Sequence, residues 1–259
     1  MLPHLDLDRV RAIRLEAAEA ENGFAFAHAV PGAEAAEIAG GCALFAGPGS
    51  PMTHALGIGM NGVVTESEFD RLEHYFRSRQ SACLIDLCPL ADLSVIEQVV
   101  RRGYRIIEFN NLMVREVRLS ELPPRLAVRR AGPEELPVWN RVVAQGFSGQ
   151  EEPPAEFDVM LASTHAVSEC YLADAAGAPA AGAAFSVRNN IALFYGDATL
   201  IRFRGRGLQS ALIRARLCRA SDLGCNLAMA TVLPGSSSER NYRRAGFELA
   251  YMRVNIARD

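Results

Sequence analysis

The sequence contains no lysine: all 27 basic residues among its 259 are arginine. A Walker-type phosphate loop and a Schiff-base lysine both need a primary amine at a fixed place, so neither is open to this chain. So complete a bias points to genome composition rather than to function. Cysteine is present, as Cys42, Cys83, Cys88, Cys170, Cys218 and Cys225, but never in Cys-x-x-Cys spacing and mostly in apolar company. Reduced core residues are therefore expected. The five histidines, His4, His28, His54, His74 and His165, are scattered, and no metal site is legible. No apolar run approaches the roughly 18 residues that span a bilayer. The opening Met-Leu-Pro-His-Leu-Asp-Leu-Asp lacks the basic-then-apolar form of a signal peptide, which makes the cytoplasm the expected location. A net charge of −3 weighs against a nucleic-acid surface as the main business of the protein.

What is there centres on residues 190–217. Ile191 to Thr199 is aromatic and apolar with no proline and reads as a strand, while Leu208, Ala211, Leu212, Ala215 and Cys218 recur at helical spacing. Between them lies Arg-Phe-Arg-Gly-Arg-Gly, residues 202–207. Arg202, Arg204 and Arg206 thus gather at the head of a helix, where the macrodipole disfavours cations by a few tenths of a kcal/mol each. A bound anion reverses that sign. Backbone N–H groups around Gly205 and Gly207, with the first helical turn, form a cradle for phosphate that the arginines supplement. A solvated turn with its arginines in water is the alternative.

Along the chain, an amphipathic helix is expected over 6–29, with Val10, Ile13, Leu15, Ala17 and Ala20 as its stripe. Short strands follow at Ile38–Phe45 and Met52–Ile58. Thr65-Glu-Ser-Glu68 has capping-box spacing and opens a helix to Arg77. Cys83–Leu87 reads as a buried strand, Ala91–Arg102 as a helix, and Arg105–Val117 as one bent strand or two. Ser120-Glu-Leu-Pro-Pro124 is the best linker. Beyond it come a strand at Leu126–Arg130, helices at Pro133–Gly146 and Ala155–Thr164, and strands at Glu169–Ala173, Pro179–Arg188 and Ile191–Thr199. The glycine-loop helix, a strand Asn226–Leu233, a helix Ser237–Ala245 and a strand Phe247–Ala257 close the chain. This alternation indicates an α/β or α+β layer fold. Leu84-Ile-Asp-Leu-Cys-Pro, a helix and Arg101-Arg-Gly-Tyr104 parallel Ala228–Pro234, a helix and Arg243-Arg-Ala-Gly-Phe247. The offset from Gly103 to Gly246 is 143 residues, near half the chain, which favours two domains of one fold.

Residues 126–259, with the arginine-glycine loop and Asn241-Tyr-Arg-Arg-Ala-Gly-Phe247, resemble the GCN5-related N-acetyltransferase (GNAT) superfamily, whose loop motif is Gln/Arg-x-x-Gly-x-Gly/Ala. Arg202-x-x-Gly205-x-Gly207 fits its letters, and Arg204-x-x-Gly207-x-Gln209 fits the helix better because Leu212 then takes the apolar position that follows. The resemblance implies an α+β fold of two GNAT-like domains, 1–120 and 121–259, each a mixed, mostly antiparallel twisted sheet flanked by helices. It implies acetyl-CoA as co-substrate with no metal, its pyrophosphate on the amides of Arg204, Gly205, Arg206, Gly207, Leu208 and Gln209. The pantetheine arm would pair with Thr199 and Leu200, with Ser238 and Asn241 close by, and strands 191–199 and 226–233 would splay to admit it.

Tyr242 falls where relatives place the tyrosine that meets the departing thiolate. A phenol and a thiol differ by roughly 2 kcal/mol in acidity, which favours hydrogen-bond donation or late transfer over early protonation. Relatives carry a glutamate base where this chain has Leu193. Asp197, Tyr195, Glu169, His165 and a water relay stay open, with Asp197 preferred for its place near the thioester. Trp139, Phe147 and Phe157 lie near the expected acceptor side, where core packing is their ordinary use. Gly57-Ile-Gly-Met-Asn-Gly62 has dinucleotide-fingerprint letters, yet the next helix begins near Thr65 and not at the glycines. With no arginines there, and Val99 at the place of Tyr242, the first domain reads as a degenerate copy. The expected activity is N-acetyl transfer to a small-molecule amine, with no nucleic acid or membrane partner and a homodimer allowed. A non-catalytic CoA-binding protein is the alternative, and a dinucleotide enzyme a third.

Overall fold

The computed structural model describes residues 3–154 and 156–259. Met1, Leu2 and Ala155 fall outside the described residues, and with them part of the signal-peptide reading and the expected helix start at Ala155. The chain forms two compact units, Met1–Leu112 with Ala250–Asp259, and Met113–Leu249. The sequence reading put all of 121–259 in the second domain. The last strand goes with the first unit because Val254, Asn255 and Ile256 pair with Leu87, Asp86 and Ile85.

In the first unit, α1 (Pro3–Ala29) lies against β1 (Glu34–Ile38), β2 (Gly41–Phe45) and β3 (His54–Leu56). Its buried stripe is Ala12, Leu15, Ala18, Ala20 and Phe26 with Glu16, and Val10 and Ala17, expected inside, are exposed. The single strand expected at 38–45 is a hairpin, because Ala39 and Gly40 both take left-handed conformations and turn the chain back. α2 (Glu66–Arg77) starts with the full Thr65/Glu68 capping box. β4 (Cys83–Leu87), α3 (Leu93–Arg101) and β5 (Arg105–Glu116) complete the order β1-β2-β3-β4-β11-β5, where β11 is Glu248–Arg258. β3 and β4 are parallel and the other registered pairs antiparallel.

The second unit runs from the end of β5 through β10 (Leu227–Val232), β9 (Ile191–Thr199), β8 (Ala178–Arg188), β7 (Glu169–Ala175) and β6 (Val128–Arg130). Among its registered pairs, β9 with β10 is parallel and the others antiparallel. Alternate residues of β7 and β8 serve opposite faces. Cys170, Leu172 and Ala184 join Trp139, Val143 and Leu161 under α4 (Leu136–Ser148) and α5 (Glu156–Thr164). Tyr171, Ala173, Ala183 and Phe185 join Leu212, Leu217, Tyr242 and Phe247 under α6 (Leu208–Asp222) and α7 (Ser237–Arg244). The expected linker is pinned, since Glu121 accepts from Arg115 and from the Arg118 amide.

The internal repeat is visible bond by bond. The Tyr104 amide donates to Val99 O and the Gly103 amide to Val100 O, and 143 residues later Phe247 donates to Tyr242 O and Gly246 to Arg243 O. Gly103 and Gly246 both have positive φ, the left-handed turn that ends a helix with glycine.

Candidate cofactor and transfer site

The site lies where β9 and β10 part. Their parallel ladder runs from Ile191↔Leu227 to Phe194↔Ala230, and β9 continues to Thr199 paired with β8 only. At the same level β9 loses register with β8 between Gly182 and Ala184, and Gly196 sits in the bulge with a left-handed φ of 68°. Past the bulge, the Leu200 amide donates to Ala180 O on the β8 side. Successive strand amides point to opposite edges, so the Thr199 N–H points toward the edge that β10 has left. Of the two residues expected to meet a pantetheine arm, Leu200 therefore has its amide committed to β8, while that of Thr199 faces the other edge.

A short 3-10 turn, Ile201–Phe203, leads to Gly207, which caps α6 at φ 80°. That cap carries no side-chain hydrogen bond and α6 has no acid in its first turn. The Arg204 amide is taken by Ile201 O. No acceptor is found for the amides of Gly205, Arg206 and Gly207 among the described residues, and those of Leu208 and Gln209 open a helix, where N–H groups lack intrahelical partners. The three arginines divide. Arg204 turns back, donating to Thr199 O at 3.2 Å and Gly146 O at 2.8 Å, so its side chain ties the loop to β9 and α4. Arg202 and Arg206 are exposed and each lies over the Phe203 ring, at 5.1 and 5.2 Å. Gln209, Ser238 and Asn241 come together: Gln209 donates to Ser238 Oγ at 2.8 Å and Asn241 donates to Gln209 Oε1 at 2.6 Å, joining the heads of α6 and α7.

Asp197 and Tyr242 also meet, in an arrangement the sequence did not suggest. The Tyr242 hydroxyl donates to Asp197 Oδ2 at 2.7 Å, and Asp197 Oδ1 pairs with Arg216 of α6. Burial first, then the Asp197 carboxylate, push the Tyr242 phenol well above the usual tyrosine range. Asp197, preferred as the base, thus has both oxygens occupied. Arg216 is the residue that sequence reasoning missed. Leu208, Leu212, Arg216 and Ala220 follow at steps of four on one buried stripe, and an arginine in that series was the available signal.

The other base candidates are placed elsewhere. Glu169 is held by Arg219 at 2.8 Å, and Tyr195 bonds Ser168 at 2.5 Å. His165 stacks edge-on against Trp139, and burial lowers its pKa. Trp139 is fully buried with its indole N–H on Ala183 O, Phe157 packs at the edge of the same core, and Phe147 is half exposed. Among the described residues no group of His, Cys, Asp and Glu is placed to hold a metal. All six cysteines are free and all but Cys218 buried, and no described helix is long and apolar enough to cross a membrane.

In the first unit Gly57 and Gly59 of the stretch 57–62 are packed, whereas Gly62 has nothing within 4 Å of its Cβ position. A Cβ on Gly59 would stand 2.3 Å from Val95 Cγ2, and one on Gly57 3.4 Å from Glu16 O. The Gly59 amide donates to Ala39 O and its carbonyl accepts from Asp92. Gly57 and Gly59 are therefore closed to a pyrophosphate. The unit's buried polar groups gather instead around Arg253, which pairs with Glu16 at 2.8 Å and with Glu19, while Tyr251 donates to Glu16 at 2.7 Å.

The sequence matches no family model and no curated protein. Among solved structures, the chain is similar to a GCN5-related N-acetyltransferase from Kribbella flavida, with 18% identity, 95% of each chain covered and a TM-score of 0.71. It is similar to a second GCN5-related N-acetyltransferase, from Sphaerobacter thermophilus, at 13% identity over 87% of this chain and 75% of that one, with a TM-score of 0.61. A tandem GNAT protein from the clavulanic acid biosynthesis pathway aligns over 97% of this chain and 94% of its own, at 14% identity and a TM-score of 0.57. The chain therefore has the GNAT acetyltransferase fold, α+β, in the tandem arrangement.

Proposed function

We propose that the unit Met113–Leu249 binds acetyl-CoA and transfers its acetyl group to an amine of a small-molecule acceptor. The observation that carries the reading is the head of α6: no acceptor among the described residues for the amides of Gly205 to Gly207, no capping side chain, and Arg202 and Arg206 each over the Phe203 ring. Oriented N–H groups, a helix dipole and two guanidiniums are the chemistry that a pyrophosphate uses. Bound there, the cofactor supplies a thioester whose carbonyl carbon is open to an amine. The Thr199 N–H, beside the vacated strand edge, is the donor for the oxygen that becomes negative as the amine adds. Tyr242 serves the departing sulfur by turning its hydroxyl from Asp197 to the thiolate, exchanging one anionic acceptor for another. Gln209, Ser238 and Asn241 fix the relation of α6 to α7, and thereby the distance from phosphate cradle to tyrosine.

Two measurements test this. Acetyl-CoA should raise the melting temperature, and free CoA should accumulate when acetyl-CoA is supplied with a panel of small amines. A panel that releases no CoA, on a protein that binds acetyl-CoA, supports a second reading, a CoA-binding protein without transfer. That reading is favoured by the engagement of Asp197 and Tyr242 with each other and with Arg216. Under the transfer reading, Tyr242→Phe lowers kcat tenfold or more with little change in KM. An unchanged kcat removes the tyrosine's role.

A further inference from the structure

We propose that Arg216 is the positioning residue of this site: it clips the β9 bulge and keeps Asp197 paired whenever Tyr242 releases it. The inference rests on the cofactor reading above. Arg216 has no solvent exposure, and a buried guanidinium survives only where each face of its fork finds a partner. Its Nε donates to Leu212 O at 3.2 Å within α6. Its Nη1 reaches Ala184 O at 2.9 Å and Tyr195 O at 3.4 Å, the two facing residues at which the β8–β9 register shifts. A bulge leaves ladder carbonyls without strand partners, and here one arginine supplies both strands. Nη2 pairs with Asp197 and stands 3.5 Å from the Tyr242 oxygen, and the guanidinium lies 4.5 Å from the centroid of Phe194, the last β9 residue paired with β10.

An apolar side chain of similar length would fill this space without a charge to satisfy. What only arginine supplies is direction: one planar group joins the end of the β9–β10 ladder, the bulge, and the carboxylate that holds Tyr242. When the hydroxyl turns toward sulfur, Asp197 is left with Arg216 and not as an unpaired buried anion. The same contacts hold Gly196 in its left-handed turn, which sends β9 away from β10 and toward Thr199.

The experiment is calorimetric titration with CoA and acetyl-CoA, beside thermal melts, on the wild-type chain, Arg216→Lys, and the double variant Arg216→Met with Asp197→Asn. Removing both buried charges at once leaves no unpaired ion, and the Asn carbonyl still accepts from Tyr242, so the double variant should stay folded and melt below the wild type only by the cost of the Ala184 and Tyr195 carbonyls it leaves unpaired. The inference expects it nevertheless to bind both ligands at least tenfold more weakly. Arg216→Lys keeps the charge but cannot fork to two carbonyls and a carboxylate, and should weaken binding likewise. Wild-type affinity in either variant overturns the proposal. If the double variant does not fold, the lysine variant decides alone. A wild-type chain that binds neither ligand removes the cofactor reading itself, a different result from binding that survives substitution.

Discussion

The helices that follow the parallel strands of the two units, α2 and α6, begin in opposite chemical states. α2 is closed: Thr65 accepts from the Glu68 amide, Glu68 accepts from the Thr65 amide, and Glu66 and Glu68 place negative charge in the first turn. α6 is open: a glycine cap in a left-handed turn, no capping side chain, no acid, and arginines on the approach. The loops before them repeat the contrast. Gly59 is wedged against Val95, whereas Gly205 has nothing within 4 Å of its Cβ position and Gly207 only Leu126 Cδ1, at 4.0 Å. One unit spends its helix start on itself and the other leaves it open, the state that the proposed cofactor site requires. Under the proposed function the same strand-loop-helix order serves structure in one unit and binding in the other, and the difference lies in a handful of side chains.

The largest effect that sharpens this comparison comes from the buried Arg253. Arg253→Met strands Glu16 and Glu19 in the first unit and should cost about 3–5 kcal/mol of stability, seen in urea unfolding, with CoA affinity preserved in the folded fraction. Loss of CoA affinity in folded Arg253→Met would break the division of labour. Next come the glycines. Gly59→Ala meets Val95 at a positive φ and should cost about 3 kcal/mol while the acetyl-CoA-induced rise in melting temperature survives. Gly207→Glu should do the reverse, costing about 1 kcal/mol in its left-handed turn and abolishing that rise. Smaller again is the pair Arg202→Ser and Arg206→Ser. Together they should weaken acetyl-CoA binding by about 1–2 kcal/mol at low ionic strength, and by less as salt is added, because both guanidiniums are exposed.

The smallest effect is the pH dependence that His54 gives to the first unit. Burial works against a protonated His54, but Asp86 at 3.3 Å outweighs it, aided by Glu19, and the imidazole pKa is raised; Arg253 opposes this from the same network. A raised folded value means that His54 contributes its full stability below the ordinary histidine value of about 6.5 and loses it as pH rises through the folded value. Melting temperature should therefore fall across that window, and His54→Gln should flatten His54's part of the slope. An identical slope in the variant would show that the ion pair contributes nothing.

Much of the fold was legible because its signals are local. The Thr65 capping box, the apolar run Cys83–Leu87 and the aromatic strand Ile191–Thr199 each announce themselves within a few residues, and structure reproduces them. The hairpin at Ala39-Gly40 was hidden because alanine gives no hint of a left-handed turn. The return of β11 to the first unit was hidden because strand partnership is a long-range choice that periodicity does not encode. At the site, the glycine loop was read from spacing and Tyr242 from the family resemblance. The Asp197–Arg216–Tyr242 cluster could not, since its members come from three elements and only folding brings them together. Arg204 shows the converse limit: its letter matched an anion motif, while its guanidinium is occupied by Thr199 and Gly146 carbonyls.

The most direct test is the stoichiometry of acetyl-CoA binding, measured by calorimetry on the whole chain and on Gly207→Glu. An open α6 and a closed α2 predict one cofactor per chain, lost in the variant. Two cofactors per chain, or binding that persists in Gly207→Glu, would contradict the assignment of the cofactor to the second unit.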